Sequence, residues 1–160
     1  MIYKYFPILL ILFSFILVGC TSQNEQPDQI LLKDDVISFV EKAVEYANTF
    51  GKERALKEFM NTDGEFIRGE LYMFADSFEG IVLAHGGNPE LVGQDIMEIT
   101  GKRGKKIMPE MIILAKEGKG WMEYYWTNPV SKQDERKLTY VMKVDETWFV
   151  GAGMYAKDIK

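Results

Sequence analysis

The chain has 160 residues, a formal net charge of −5, one histidine and one cysteine. An acidic domain is a poor match for nucleic acid or anionic lipid, both of which reward a basic face. One cysteine forms no intramolecular disulfide, and one histidine with no cysteine pair leaves no ligand set for zinc.

The first twenty residues read as a targeting segment. Lys4 is a short positive region, and Tyr5 to Val18 is apolar apart from Pro7 and Ser14. That run has signal-peptide length and falls short of the roughly 20 residues a membrane span needs. It ends Leu17-Val18-Gly19-Cys20, small residues followed by a cysteine, the pattern of a lipoprotein signal. The reading is a signal peptide over residues 1–19, a lipidated Cys20 and a polar tether to residue 29. A plain secretory signal with a chance cysteine is the alternative. Cleavage would remove Lys4 and take the charge from −5 to −6. The remaining 140 or so residues suit one domain with its own core.

From Ile30 to Met60 the pattern is helical. Val36, Phe39, Val40, Ala43, Val44 and Ala47 form one apolar stripe, and Gly51 divides a long helix from a short one carrying Ala55, Leu56 and Phe59. Asn61 to Gly64 is turn chemistry. Glu70 to Ala75 and Ile81 to Ala84 read as strands around a turn at Asp76 to Gly80. His85 to Pro89 is a loop, and Asp95 to Thr100 suggests a single helical turn. Pro109 opens a helix to about Lys116, closed by Gly118. Strands then follow at Gly120 to Trp126, Lys137 to Val144 and Thr147 to Gly153, the last pair joined at Asp145-Glu146. This order predicts an α+β domain with an antiparallel sheet.

Several enzyme signals fail on their own terms. Gly101 to Lys106 resembles a phosphate loop but has no hydroxyl residue after the lysine, so it reads as a basic solvated loop. Asn61, Asp63, Gly64 and Glu70 fall at calcium-loop offsets, but Phe59 would stand at the first ligand position. No nucleophile motif, acid/base pair or cofactor motif is present.

What remains is aromatic and weakly basic. Strand periodicity puts Met122, Tyr124 and Trp126 on one face and Trp121, Glu123 and Tyr125 on the other. Glu123 marks the wetter face, so Tyr124 and Trp126 point inward. Tyr72 and Phe74 share a face of the earlier strand. His85 and Lys137 sit at strand ends, where a sheet meets its covering loops. Aromatic walls with a buried cation would take a small carboxylate, whereas an aromatic core with an exposed lysine would not. For His85 the competing role is a turn-stabilising hydrogen bond.

These residues also carry a family resemblance. Glu58-Phe59-Met60-Asn61, Asp63-Gly64 and Phe66, then Leu71-Tyr72-Met73-Phe74, Val82-Leu83-Ala84-His85 and Asn88 to Gly93, resemble single Cache domains of the second type. So do Gly120 to Trp126, Asn128-Pro129, Lys137 with Tyr140, and Gly151-Ala152-Gly153-Met154-Tyr155. The resemblance covers essentially residues 30–160. It implies a PAS-like fold, a long N-terminal helix packed on a central antiparallel β-sheet, acting as an extracytoplasmic, non-enzymatic sensor of small carboxylates. It implies ligand-binding roles for His85, Tyr124, Trp126, Lys137 and Tyr140, with Tyr72 and Phe74 as pocket wall. Tyr140 conflicts with periodicity, since i, i+3 spacing from Lys137 puts the two on opposite strand faces unless a bulge intervenes. The family often has proline after the His85 position; Gly86-Gly87 here suggests a more mobile loop that closes on ligand. Relatives commonly continue into a membrane helix and an output domain, whereas this chain ends at Lys160. The expectation is therefore a lipid-anchored binding protein that signals through a partner sensor kinase, chemoreceptor or transporter. An enzyme using His85 as base and a ligand-free structural lipoprotein are the rival readings.

Overall fold

The computed structural model describes residues 33–101 and 103–155. The expected signal peptide, Cys20 and tether lie outside the described residues. Two helices open the described chain, α1 (Lys33–Phe50) and α2 (Lys52–Phe59). The buried face of α1 is the stripe Val36, Phe39, Val40, Ala43, Val44 and Ala47, as its periodicity predicts. Asp34 and Asp35 occupy its first turn, where carboxylates suit the positive end of the helix dipole. Gly51, at φ 84°, makes the break between the helices with a backbone few side chains tolerate.

A short hairpin, β1 (Ile67–Arg68) with β2 (Leu71–Tyr72), precedes a five-stranded antiparallel sheet. The sheet comprises β3 (Phe74–Ser77), β4 (Val82–His85), β5 (Lys119–Thr127), β6 (Asp134–Lys143) and β7 (Trp148–Tyr155), in the order β4-β3-β7-β6-β5. A 3-10 turn (Pro89–Leu91) and α3 (Met108–Lys116) lie between β4 and β5. The α+β class, the N-terminal helix and the antiparallel sheet all follow the sequence reading.

Strand alternation divides the molecule into two layers. Trp148, Val150, Ala152 and Met154 of β7, with Tyr140 of β6, pack against α1 and α2. Phe149 of β7, Val141 of β6, Met122 and Tyr124 of β5 and Phe74 of β3 face α3 and the residues leading into it. Every residue of β7 is buried, as a central strand covered on both faces requires.

Four local expectations need correction. The strand expected over Glu70 to Ala75 is two strands. The Met73 N–H bonds the Phe66 carbonyl while its own carbonyl takes the Gly86 N–H, so the chain changes partners there. Asp76 belongs to β3 rather than to a turn; the turn begins after Ser77, whose Oγ accepts the N–H groups of Glu79 and Ile81. Asp95 to Thr100 contains no helix. The Asp95 carboxylate takes the Met97 N–H, and residues 94 and 96 bond β4 and its turn, committing this backbone to pairing. Finally, β6 starts at Asp134, three residues before the expected Lys137.

Candidate functional site

Between the sheet and its α3-side cover lies a cavity of about 390 Å³, counting the part open to solvent. Phe74 and Asp76 of β3, His85 of β4, and Tyr124 and Trp126 of β5 supply its sheet side. Leu91, Ile96, Ile99, Ile107, Met108 and Met111 close it from above. A neighbouring recess of about 590 Å³ shares Leu91, Ile99 and Trp126 with it, so these three side chains separate the inner space from an outer one.

Lys137 sits immediately behind this cavity and not in its wall. It is fully buried, with Nζ 3.9 Å from the Tyr72 ring centroid, 5.1 Å from that of Tyr155 and 5.9 Å from that of Phe74. Phe74 links the lysine's aromatic cage to the cavity. The described residues place no carboxylate within ion-pair distance of Nζ. Burial alone pushes the ammonium down to about 7. An uncompensated buried ammonium costs on the order of several kcal/mol, and ring faces recover only about 2 kcal/mol of that when desolvated.

His85 Nδ1 accepts the Asn88 N–H at 2.9 Å. The turn bond considered for this residue is therefore real, and it has a consequence at the site. With Nδ1 occupied as acceptor, the ring proton resides on Nε2, which becomes a hydrogen-bond donor. The ring packs between Tyr72, Phe74 and Trp126, with centroids at 5.0, 6.2 and 6.2 Å. Burial, then the Lys137 charge, lowers its pKa to about 3. A histidine held neutral with its basic nitrogen engaged is poorly suited to general-base chemistry.

Tyr72 bonds Tyr155 hydroxyl to hydroxyl at 3.3 Å, and Tyr155 donates to the Thr127 carbonyl at 3.1 Å. Tyr124 accepts from Thr139 at 3.3 Å. Burial, the first cause in each case, raises all three phenols, which stay neutral donors. Two glycines of β7 make room for these groups. A Cβ on Gly151 would run into the Phe74 ring, and one on Gly153 would lie 2.9 Å from Lys137 Cε. The bare strand lets the Phe74 ring and the lysine stem lie flat on it.

The structure thus gathers Tyr72, Phe74, His85, Tyr124, Trp126 and Lys137 in one place. It does not bring Tyr140 there. β6 keeps unbroken register with both neighbours from Lys137 to Met142, so no bulge rotates Tyr140 to the cavity side. It lies instead in the helix-side core, 5.0 Å from the Trp121 ring. The expected mobility of Gly86-Gly87 also gives way to a packing reason. A Cβ on Gly86 would approach the Phe59 carbonyl at 3.0 Å, and one on Gly87 the Tyr72 ring at 2.5 Å. The basic loop is tied down as well: Lys105 pairs with Glu110, and Arg103 stacks 3.8 Å over Tyr125.

Sequence reasoning missed Asp76, Tyr155 and the aliphatic cover. Tyr72, Phe74 and Asp76 recur at every second residue, the signal that puts Asp76 on the cavity face.

A five-stranded sheet in this order, helix-backed on one face and holding a walled cavity on the other, defines a PAS-like ligand-binding module. The chain belongs to the Single Cache domain 2 family, whose model matches residues 36–160. It is 32% identical over 89 residues to the sensor histidine kinase MctS of Rhizobium johnstonii, covering 55% of this chain and 19% of that protein. The chain thus spans about a fifth of this curated relative. A methyl-accepting chemotaxis protein of Vibrio parahaemolyticus superposes with a TM-score of 0.71 at 20% identity, over 79% of this chain and 89% of that one. A Cache chemosensory domain solved for the structural basis of carboxylic acid recognition gives a TM-score of 0.65 at 26% identity, over 77% and 92%. Cache domains are extracytoplasmic sensor modules, and this chain is related to those of sensor kinases and chemoreceptors.

Proposed function

We propose that the protein is a lipid-anchored, extracytoplasmic binding protein for a short-chain carboxylate, without enzymatic activity. The observation that carries the reading is Lys137, a buried cation caged by Tyr72, Tyr155 and Phe74 beside a cavity, with no carboxylate in ion-pair reach among the described residues. His85 contributes a neutral Nε2–H donor, its ring packed, like the lysine ammonium, against Tyr72. An anion there compensates the ammonium and accepts from Nε2–H, and charge-assisted hydrogen bonds are about twice as strong as neutral ones. Phe74, Tyr124 and Trp126 enclose the short apolar part. The likeness to a carboxylic-acid-recognising Cache domain supports the same class of ligand.

Binding would draw the cover (residues 88–101 and 103–111) toward the sheet and alter the surface offered to a partner. A sensor kinase or chemoreceptor is the partner class its relatives suggest, with a transporter as the other candidate. The anchor is a diacylglyceryl group on Cys20.

Two measurements test these parts separately. Calorimetric titration of the full chain in mild detergent with acetate, propionate and butyrate should give saturable binding that Lys137→Met weakens about 10- to 100-fold, the value of a charge-assisted bond. Affinity untouched by Lys137→Met overturns the site. Mass spectrometry of the chain from its native membrane should find Cys20 as a lipidated N-terminus; an unmodified Cys20 in a full-length chain overturns the anchor.

A further inference from the structure

Asp76 lines the cavity but has no role in holding the carboxylate, and its setting is unusual. It lies on β3 two residues after Phe74, on the same face, and is 2% exposed. Its carboxyl lines the cavity among Ile96, Met108 and Met111, and Oδ1 has no hydrogen-bond partner among the described residues. Buried polar atoms are nearly always satisfied, so an orphan facing a cavity points to an absent partner. The sheet register orders the groups. Lys137 stands opposite Tyr155, Phe74 opposite Gly151 and Asp76 opposite Phe149, along one line of β7. Phe74 therefore separates the cation from the acid. A ligand with its carboxylate at Lys137 and its chain across Phe74 directs its far end toward Asp76.

We propose that Asp76 is a second ligand-contacting residue, bonding a hydroxyl at the end of the ligand away from its carboxylate, so that the preferred ligands are short hydroxy acids. The proposal rests on the carboxylate reading above and narrows it. Burial holds Asp76 up at about 8, so near neutrality its carboxyl offers one O–H donor and one carbonyl acceptor. A hydroxyl offers the same pair in return. An ammonium instead requires Asp76 to ionise against an aliphatic wall, which desolvation opposes.

Matched acids test this on the full chain at pH 6.5: propionate against 3-hydroxypropionate, and butyrate against 3-hydroxybutyrate, 4-hydroxybutyrate and 4-aminobutyrate. The hydroxylated member of at least one pair should bind about tenfold tighter, the worth of one added hydrogen bond. That ratio should collapse toward one in Asp76→Leu and survive in part in Asp76→Asn, which keeps a donor and an acceptor. Circular dichroism of each variant reports that it is folded. Equal affinities within every pair in the unaltered chain overturn the Asp76 role while leaving the carboxylate reading standing. A preference for 4-aminobutyrate, or a hydroxyl preference that persists in folded Asp76→Leu, also overturns it. Failure of all these acids to bind removes the carboxylate reading and this inference together.

Discussion

Lys137 is unfavourable for the fold, and the proposed carboxylate contact is what gives it a use. Its ammonium is held to about 7 by burial, with only ring faces around it. Replacing even a buried ion pair by apolar side chains of similar volume is often neutral or stabilising, and an unpaired buried ammonium has no Coulomb partner to lose. Lys137→Met should therefore melt no lower than the unaltered chain while losing affinity for carboxylates. A lower melting point would mean the lysine is structural. The same shift sets a pH dependence. Below about 7 the lysine is charged whether or not ligand is bound, so affinity is flat. A bound anion raises the lysine pKa, so above about 7 binding must take up a proton and affinity falls by up to tenfold per pH unit. His85, lowered to about 3, stays neutral across that range, while Asp76, near 8, adds an unfavourable charge only at its upper end. Titrations at pH 6, 7, 8 and 9 check this; an affinity that rises with pH contradicts it.

At the scale of elements, β7 and β6 decide what reaches the cavity. Gly151→Ala sets a methyl group against the Phe74 ring and 2.9 Å from the Tyr140 carbonyl. Overpacking of that kind costs about 1–3 kcal/mol, and urea unfolding of Gly151→Ala should show a loss in that range together with weaker ligand binding. On β6, Tyr140→Phe should leave carboxylate affinity unchanged, since the ring faces α1 and its neighbours. A changed affinity there would place Tyr140 back at the site. This division was legible in part. Periodicity alone put Tyr124 and Trp126 inward and separated Tyr140 from Lys137. It lost Asp76 because an acid before Ser77 and Gly80 reads as a turn, when the turn chemistry belongs to the Ser77 hydroxyl. The cover was illegible for a different reason: Ile96, Ile99 and Ile107 lie in irregular backbone, where no period reports which way a side chain faces. Gly86-Gly87 misled because flexibility and close packing both select glycine, and sequence does not separate them.

For the molecule as a whole, one side of the sheet supplies stability and the other holds groups that titrate. Relative to the unfolded chain, Asp76 rises from 3.8 to about 8, so its share of stability is lost as pH climbs through that range. His85 falls from 6.5 to about 3 and Lys137 from 10.5 to about 7, so their shares are lost as pH falls through those ranges. The slopes oppose one another, each about 1.4 kcal/mol per pH unit for a full proton. Folding stability without ligand should vary little between about pH 4 and 8. Asp76→Asn removes the descending contribution, so its stability should climb with pH across the same interval, as chemical denaturation at several pH values would register. A variant curve parallel to that of the unaltered chain would mean Asp76 does not titrate in this window.

The central claim is that a caged lysine beside a cavity receives a carboxylate. Calorimetry at pH 6.5, comparing short carboxylates on the full chain and on its folded Lys137→Met variant, tests it most directly. The account predicts saturable exothermic binding in the first and a 10- to 100-fold loss in the second, in keeping with one charge-assisted contact. Equal binding by both, or none by the unaltered chain, would contradict it.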